Sequence, residues 1–436
     1  MPLDRLSQAL DQHVAGLAEA GTAKGAETVV VDVLPAVGEH GPRFLLEGEG
    51  DRPFLRMNSN SYLGLSLDPE VMAAEEEATR RFGAGPGAVR FISGTYRPHL
   101  ELEARLARFH GREAAMIFSS AYATVVGVLV PLTTPGTFIV SDELNHNCII
   151  NGMRMARPKG KAIYAHNDME DLERALEKAA GAEAERVLLV TDGIFSMRGD
   201  HAPLAEIVAL ARRFDERFPE NVVVVVDDSH GAGAFGETGR GTEEYADARA
   251  DVLIATLGKA FGVNGGYVTA NEAVVGFLRE SAPLYIYSNP ITVGEAQAAT
   301  RSLDILDSER GRALLSHLRS LTERFERGLV GLGFEVIPGP HPVVPLLVRD
   351  TVRTGELVRH LYDHGVLATG LAYPVVPRGE EEIRFQVCAD HTVADIDQVL
   401  GHLRIFRERP CKLPRSFKCQ DIPESQRKRS SKPRCK

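Results

Sequence analysis

Apolar positions along the chain follow two different periods. Near the N-terminus they recur at steps of three and four residues, the spacing of an amphipathic helix. The positions concerned are Leu3, Leu6, Leu10, Val14 and Leu17. Residues 43–60, with the sequence RFLLEGEGDRPFLRMNSN, predict two short strands about a Gly/Asp turn. We therefore expect a helical arm followed by short strands.

The middle of the chain alternates helical patterns with continuous runs of apolar, β-branched residues. The clearest runs are RVLLVTDG (186–193), NVVVVVDDSHG (221–231) and DVLIATLG (251–258). Between the first two lies PLAEIVALARRFDERF, which has a helical period. Continuous apolar strands separated by helices indicate an α/β fold with a parallel sheet covered on both faces. In such sheets ligands bind beyond the carboxyl ends of the strands.

From about residue 300 the pattern changes to a smaller α/β region. It contains a predicted long helix (SLDILDSERGRALLSHLRSLTERFERGLVGLG), a strand-like HPVVPLLVRD, a helix from Gly355 and a final helical TVADIDQVLGHLRIF. Beyond it the sequence is basic, has few apolar residues and no period, which is typical of disorder. We expect an arm with short strands (1–57), a large domain (58–300), a small C-terminal α/β domain (301–408) and a disordered tail (409–436).

Composition narrows the function classes. The 436 residues are 44% apolar and carry a formal net charge of −10. From Arg404 to Lys436 there are twelve Lys or Arg against three Asp or Glu, so the rest of the chain is strongly acidic. An acidic body argues against nucleic-acid binding. No window reaches the roughly 18 apolar residues of a membrane span, and the start lacks the apolar core of a signal peptide.

Cysteine usage agrees with a cytoplasmic location. The five cysteines show no paired spacing and no spacing typical of a metal site. We therefore expect a reducing compartment, no structural disulfide and no bound metal.

A solitary lysine lies in the glycine-rich loop IATLGKAFGVNGGYV (254–268). A nucleotide-binding P-loop would need a glycine at Leu253 and a serine or threonine at Ala260, so that motif is excluded. Considered alone, Lys259 fits either an exposed turn lysine or a functional amine.

Each of the three runs turns polar where its strand ends. The polar segments are Asp192 to Ser196, Asp227 to His230, and Thr256 to Lys259. Alone, Asp227 could cap a turn and His230 could be an ordinary loop histidine. Together at neighbouring strand ends they indicate one site, with Asp228 pointing to the opposite face if the strand continues.

A possible phosphate site lies in FSSAYATVVGVL, where a strand end and small hydroxyl residues precede a helix that begins near Tyr122. Amide groups at a helix start bind phosphate readily, and Thr256 could add a hydroxyl donor. A lysine held near a ring that is anchored by its phosphate is the arrangement required for a Schiff base with pyridoxal 5′-phosphate (PLP).

Nine ordered blocks over three quarters of the chain resemble the α-oxoamine synthases, PLP enzymes of aminotransferase fold type I that condense an amino acid with an acyl-CoA. The blocks are NSNSYLGL, GAVRFISGTYRPHLELE, SDELNHNCIINGMR, YAHNDM, TDGIFSMRGD, VDDSHGAGAFGETGRG, TLGKAFGVNGGY, YSNPIT and YPVVPRGEEEIRFQVCADHT. Three of them look most like the 2-amino-3-oxobutyrate CoA ligase (glycine C-acetyltransferase) branch. The resemblance implies a large domain with a mainly parallel sheet covered by helices, a smaller C-terminal α/β domain, and a homodimer with its active site at the interface.

The resemblance also implies roles for individual residues. Lys259 matches the Schiff-base lysine that moves the α-proton, and Asp227 matches the carboxylate that faces the pyridine nitrogen. His146 matches the histidine stacked on the ring, while His230 and Ser196 match groups around the ring hydroxyl. The residues that match phosphate contacts are Ser120, Ala121, Tyr122 and Thr256, with Ser288 and Asn289 from the partner subunit. Asn60 and Arg384 match the pair that holds the substrate carboxylate.

The expected reaction joins glycine to acetyl-CoA. Other members of the family are the first alternative: 8-amino-7-oxononanoate, 5-aminolevulinate or serine palmitoyl types, or a secondary-pathway enzyme, with a longer acyl chain or another amino acid and with decarboxylation. A fold-type-I aminotransferase is a more distant alternative. A catalytically silent binding subunit is disfavoured because Lys259, Asp227, His230 and Arg384 are all present.

Overall fold

The computed structural model describes residues 3–20, 22–23, 25–373 and 375–408. The predicted basic tail, 409–436, lies outside the described residues. The helices are α1 Asp4–Glu19, α2 Pro69–Phe82, α3 Arg97–Phe109, α4 Ala121–Leu132, α5 Asn147–Ala156, α6 Met169–Gly181, α7 Leu204–Phe214, α8 Thr242–Ala246, α9 Glu272–Ser281, α10 Pro283–Ile286, α11 Val293–Leu306, α12 Glu309–Gly331, α13 Thr351–Asp363 and α14 Val393–Glu408. The strands are β1 Val30–Leu34, β2 Arg43–Leu46, β3 Pro53–Arg56, β4 Ala114–Phe118, β5 Thr137–Asp142, β6 Gly160–Tyr164, β7 Arg186–Asp192, β8 Val222–Asp227, β9 Val252–Thr256, β10 Gly266–Ala270, β11 Glu335–Val336, β12 Val343–Leu347, β13 Val366–Leu367, β14 Thr369–Leu371 and β15 Glu382–Gln386.

A seven-stranded sheet forms the centre of the molecule, in the order β4-β10-β9-β8-β7-β5-β6. Strands β6, β5, β7, β8 and β9 pair in parallel, whereas β10 is antiparallel to both of its neighbours. The three apolar runs are β7, β8 and β9, so the predicted parallel strands are confirmed.

Both faces of this sheet are covered, which explains the continuous apolar runs. Alternate residues of β8 enter opposite cores, with Val224 and Val226 in one cluster and Val225 in the other. Because successive side chains of a strand point to opposite faces, a strand buried on both sides needs apolar residues at every position.

Two smaller sheets lie outside the central one. In the C-terminal region the order is β11-β12-β15-β14, and Arg384 lies in the interior strand β15. The predicted N-terminal strands are present as β2 and β3, and β3 pairs in parallel with β13 through Leu55 and Val366. The residues that follow β3 are thereby held near the C-terminal region, and this arrangement brings Asn60 to Arg384.

The single long helix predicted for residues 302–333 is wrong. The structure has two helices there, because α11 ends at Leu306 and α12 begins at Glu309. Ser308 caps the second helix by accepting a hydrogen bond from the Gly311 amide. A Cβ at Gly311 would lie 2.2 Å from the Leu306 carbonyl oxygen, so glycine permits the tight junction. An apolar period that continues across the junction concealed this break.

Helix α1 confirms the predicted N-terminal helix, although none of its residues is buried. Its apolar stripe is therefore at the surface of the single chain. Within the described part of the chain, no helix is both long enough and apolar enough to cross a bilayer.

Asp228 is turned away from the site, as the strand alternation predicts. It is fully buried, and its carboxylate accepts hydrogen bonds from the Thr242 amide at 2.7 Å and the Thr242 hydroxyl at 2.6 Å. Asp228 thus fixes the start of α8.

Replacing Thr242 by valine should destabilise the fold. Valine keeps the shape of the side chain but leaves one buried oxygen of the Asp228 carboxylate without its hydroxyl donor. The free energy of unfolding should therefore fall by about 1–3 kcal/mol. Urea unfolding should show a lower midpoint with an unchanged slope. Thr79→Val, on the exposed face of α2, is the matched control and should leave the midpoint in place. Equal midpoints for the two variants would contradict the assigned role of Asp228.

Candidate active site at the strand ends

Acidic side chains end two adjacent strands of the central sheet. The register pairs Asp192 at the end of β7 with Asp227 at the end of β8. Both residues are only 5% exposed. Burial and the charge of Asp227 together raise the pKa of Asp192 well above its ordinary value, so Asp192 is held toward its neutral form.

Lys259 lies in the loop between β9 and β10, beside these acids. Burial lowers the pKa of Lys259 to about 8, although the charges of Asp227 and Asp192 act in the opposite direction. The positive charge of Arg384 lowers the pKa of Lys259 further. An amine with this pKa is partly neutral near physiological pH, which is the form that attacks a carbonyl group.

Both carboxylate oxygens of Asp227 accept hydrogen bonds from the protein. Its Oδ1 accepts hydrogen bonds from the Ser229 amide at 3.1 Å and the Ser229 hydroxyl at 2.5 Å. Its Oδ2 accepts from the Cys148 thiol at 3.7 Å. The orientation of this carboxylate is therefore determined by the protein.

His146 caps the start of α5, and it is exposed at the surface of the single chain. Its amide donates to Asp192 Oδ2 at 2.9 Å, and its Nδ1 lies 2.9 Å from Cys148 Sγ. Desolvation of the ring nitrogens lowers the pKa of His146, and the charge of Lys259 lowers it further while Asp227 opposes the change. His146 is accordingly neutral at physiological pH.

A chain of hydrogen bonds links three different parts of the fold. Arg384 Nη2 donates to Asn60 Oδ1 at 3.2 Å, and the Tyr62 hydroxyl donates to the same oxygen at 3.3 Å. The Tyr62 hydroxyl also lies 2.7 Å from His230 Nδ1. Burial, together with the charges of Lys259 and Arg384, lowers the pKa of His230 well below its ordinary value. His230 is therefore an uncharged hydrogen-bonding group.

The start of α4 offers free amide groups. Ser120 caps the helix by accepting from the Ala123 amide at 3.1 Å. The amides of Ala121 and Tyr122 have no acceptor within the helix, because the first amides of a helix never do. A Cβ at Gly266 would lie 2.3 Å from the Ala121 nitrogen, so glycine is required for β10 to approach this helix start.

The remaining candidates have mostly local contacts. The Thr256 hydroxyl donates to the Gly265 carbonyl and accepts from the Gly258 amide, both at 3.1 Å, and so fixes the loop that carries Lys259. Ser196 is half-buried in the turn after β7. Ser288 and Asn289 follow α10, and the Ser288 hydroxyl donates to the Asn289 carbonyl at 3.5 Å. In the described residues, no hydrogen bond joins Ser196, Ser288 or Asn289 to Lys259 or Asp227.

An open cleft of about 600 Å³ lies in front of Lys259. Most of its lining residues are polar, although polar and apolar atoms contribute similar amounts of surface, and Val30, Val263 and Leu367 are the apolar side chains among the described lining residues. The polar ones are Thr28, Arg56, Asn58, Ser59, Asn60, Ser61, Ser66, Lys259 and Asn264. The cleft joins the lysine to Asn60, a member of the hydrogen-bonded chain.

Sequence reasoning missed two residues that the structure places in the cluster, Tyr62 and Cys148. Both occur two positions after a residue singled out from the sequence, Asn60 and His146. Each contacts a residue that is distant in sequence: Tyr62 and His230 are 168 residues apart, and Cys148 and Asp227 are 79 residues apart. Their position inside the resembling blocks was the available signal.

The residues present fit PLP. The aldehyde requires an amine of lowered pKa, the pyridine nitrogen a buried carboxylate, and the phosphate a set of unpaired amides. Lys259, Asp227 and the start of α4 provide these groups, and Gly266 lets β10 pack directly against that helix start. The fold and the site together define a PLP-dependent enzyme of aminotransferase fold type I.

Comparisons with known proteins identify the family. The model of the family "Aminotransferase class I and II" matches residues 52–403. An 8-amino-7-oxononanoate synthase from Bacillus pumilus is 38% identical over 352 residues, which is 80% of this chain and 87% of that protein. The human mitochondrial 2-amino-3-ketobutyrate coenzyme A ligase is 37% identical over 400 residues, or 91% of each chain. A structure of the Sphingomonas wittichii serine palmitoyltransferase superimposes with a TM-score of 0.82 at 28% identity and covers 93% of this chain and 97% of that one.

The chain belongs to the aminotransferase class I and II family and, within it, to the α-oxoamine synthases. It is a PLP-dependent acyltransferase, and related serine palmitoyltransferase structures contain PLP.

Covalent binding of PLP should depend on the free amine of Lys259. In protein freed of cofactor, we expect the rate of attachment to rise as pH increases through about 8, because the reactive neutral amine replaces the ammonium ion there. Borohydride reduction followed by mass spectrometry of the peptides measures the attachment. Lys259→Ala should yield no modified site peptide, and Lys161→Ala, on an exposed position of β6, serves as the control. A label found on another lysine would contradict the assignment.

Proposed function

We propose that the enzyme condenses glycine with acetyl-CoA and releases an α-amino-β-keto acid and coenzyme A. The observation that carries this proposal is the polar cleft in front of Lys259, which has Asn60 and, through it, Arg384 at its edge. A long aliphatic chain would gain little from such a lining, whereas a short acyl group loses little. The similarity to the human ligase over 91% of the chain supports the same choice.

The amino acid is held by its carboxylate. Arg384 offers a planar fork of donors that matches a carboxylate, and its Nη2 is already oriented by Asn60 Oδ1 at 3.2 Å. The side-chain amide of Asn60 adds a neutral donor on the cleft side. Two fixed contacts set the direction of the Cα–H bond relative to Lys259.

Proton transfer at the α-carbon is assigned to Lys259. When bound, PLP stabilises the negative charge that develops at that carbon. Asp227 is assigned to face the ring nitrogen, while His230 and Ser196 are assigned to the ring hydroxyl. The proton from Cα moves to Lys259 Nζ, and it balances the proton that the departing coenzyme A thiolate takes up after the carbon–carbon bond has formed.

Carbon–carbon bond formation requires the thioester to meet the substrate carbon in the cleft. A bond forms between the α-carbon and the thioester carbonyl carbon, the carbon–sulfur bond breaks, and coenzyme A leaves as a thiolate that takes up a proton. His146, neutral and exposed at the mouth of the site, is assigned to stack on the cofactor ring and to assist at the acyl oxygen.

Phosphate binding is assigned to the start of α4, through Ser120, Ala121 and Tyr122, and to Thr256. We further propose a homodimer in which Ser288 and Asn289 complete the phosphate site of the partner subunit. The position of these two residues after α10, without a hydrogen bond to the Lys259 cluster in their own chain, supports this arrangement.

A second candidate is the 8-amino-7-oxononanoate type, in which the acyl group is longer and the carboxylate leaves as carbon dioxide. The 38% identity to the Bacillus pumilus enzyme favours it. An acyl panel separates the two candidates.

Thiol release should be fastest with glycine and acetyl-CoA when purified enzyme is supplied with glycine, alanine or serine and with acyl-CoAs of increasing length. The polar lining is the reason, because each added methylene must be placed against polar groups. Ellman's reagent measures coenzyme A, and carbon dioxide is measured in parallel. Turnover restricted to long-chain thioesters would contradict the leading assignment, as would carbon dioxide that forms in step with the thiol from the start, ahead of the slower spontaneous loss from a free β-keto acid.

Replacement of Arg384 by lysine should raise KM for the amino acid by about 10- to 100-fold, because one bidentate contact is lost and about 1.4–3 kcal/mol of binding with it. KM for acetyl-CoA should change little. Arg324→Lys, in an exposed ion pair with Asp397 on the far helices, is the matched control. An unchanged KM for the amino acid would remove Arg384 from the substrate site.

A further inference from the structure

Cys148 occupies a position between two groups of the active site. Its Sγ lies 2.9 Å from His146 Nδ1 and 3.7 Å from Asp227 Oδ2. Its amide nitrogen lies 3.3 Å from the same His146 nitrogen and can donate to it only in the tautomer in which Nδ1 is unprotonated. The residue is 2% exposed. A buried thiol therefore touches both the carboxylate assigned to the ring nitrogen and the histidine assigned to the ring face.

The surroundings determine the form of this thiol. Burial and the charges of Asp227 and Asp192 raise the pKa of Cys148 above its ordinary value, so the sulfur keeps its proton. A neutral thiol can donate to a carboxylate, which a thiolate cannot do. Cys148 is thus a hydrogen-bond donor aimed at Asp227 and not a nucleophile.

Because His146 is exposed, packing does not fix the orientation of its ring, and a hydrogen bond to the ring is needed to do so. Its backbone is held by Asp192 through the 2.9 Å amide contact, but that bond does not determine the rotation of the ring. Among the described residues, the hydrogen-bonding contacts of its ring are those with Cys148. The charged or titratable groups around the pair are Asp192 at the end of β7, Asp227 at the end of β8, His230 in the loop after β8 and Lys259 from the loop after β9.

We propose that Cys148 is a positioning residue: its thiol donates its single proton to the Asp227 carboxylate while its sulfur accepts the proton of His146 Nδ1, and the two contacts together fix the ring relative to the acid. This inference rests on the proposed function, in which both groups flank the cofactor. The simpler alternative is a cysteine that only fills space, since Cys148 also packs in the apolar cluster beneath α4 and α5.

Alanine and serine at position 148 distinguish these two roles, because they have nearly the same volume but only serine can donate a hydrogen bond. Cys148→Ala should lower kcat about tenfold or more with KM changed less than about threefold, whereas Cys148→Ser should stay within about threefold of the native enzyme. A tenfold loss corresponds to about 1.4 kcal/mol. Cys388→Ala, which removes the other described buried thiol, is the matched control.

A second readout needs neither cofactor nor activity. In protein freed of PLP, NMR of the histidine rings reports the pKa of His146, assigned by comparison with His146→Gln. Loss of the thiol lets water reach Nδ1, so the pKa of His146 should rise toward its ordinary value in Cys148→Ala and stay near the native value in Cys148→Ser. If Cys148→Ala does not fold, Cys148→Val retains bulk without a donor and replaces it.

Equal behaviour of the alanine, or valine, and serine variants in both measurements would overturn the proposal and leave Cys148 as a packing residue. A different outcome would contradict the proposed function. If the native enzyme releases no thiol from any acyl-CoA but the His146 titration still separates alanine from serine, the positioning role stands and the substrate assignment falls.

Discussion

The placement of two buried carboxylates beside one lysine is the constraint on which the site depends. Parallel pairing of β7 with β8 puts Asp192 and Asp227 on neighbouring strands, roughly 4.8 Å apart along the sheet. Two like charges at that distance in a buried site are unfavourable unless one is neutral or a cation is close. The structure uses both solutions, since the pKa of Asp192 is raised and Lys259 lies beside the pair. The same burial makes the lysine reactive, because it lowers the pKa of Lys259 more than the two acids raise it. The arrangement of the ends of β7 and β8 thus determines both the reactivity of Lys259 and the charge balance of the site.

The substrate side of the site depends on a second constraint, which joins the three sheets. Arg384 belongs to β15 of the C-terminal sheet, Asn60 follows β3 of the N-terminal sheet, and His230 follows β8 of the central sheet. Tyr62, fully buried, connects the last two through its hydroxyl. Any shift of the C-terminal sheet against the central one would change the distance from Arg384 to Lys259. The pairing of β3 with β13 resists such a shift, because it attaches the residues before Asn60 to the same part of the chain that carries Arg384.

The central fold was predictable because its signals are local. Five consecutive valines in β8 can be buried on both faces, and that fact is visible in the sequence alone. The break between α11 and α12 was not, because it depends on the contact between Gly311 and the Leu306 carbonyl and does not interrupt the apolar period. Lys259, Asp227 and His230 stood out because polar residues followed apolar runs. Cys148 and Tyr62 did not, because a cysteine and a tyrosine in apolar surroundings are ordinary core residues until their partners from distant strands are in place.

Two buried histidines near the cleft are uncharged, which leaves few charged groups beside Lys259. Burial lowers the pKa of His341 to about 3, and that of His230 lies well below its ordinary value, so neither ring adds a positive charge beside Lys259. The His341 ring lies 2.9 Å from the His230 carbonyl oxygen through its Nε2 and supports the loop after β8. In the proposed assignment, Arg384 is then the cation that faces the substrate carboxylate, and Asp227 lies at the opposite end of the site. Under the same assignment, acyl selection falls to the lining of the cleft around Asn60, where most of the lining residues are polar.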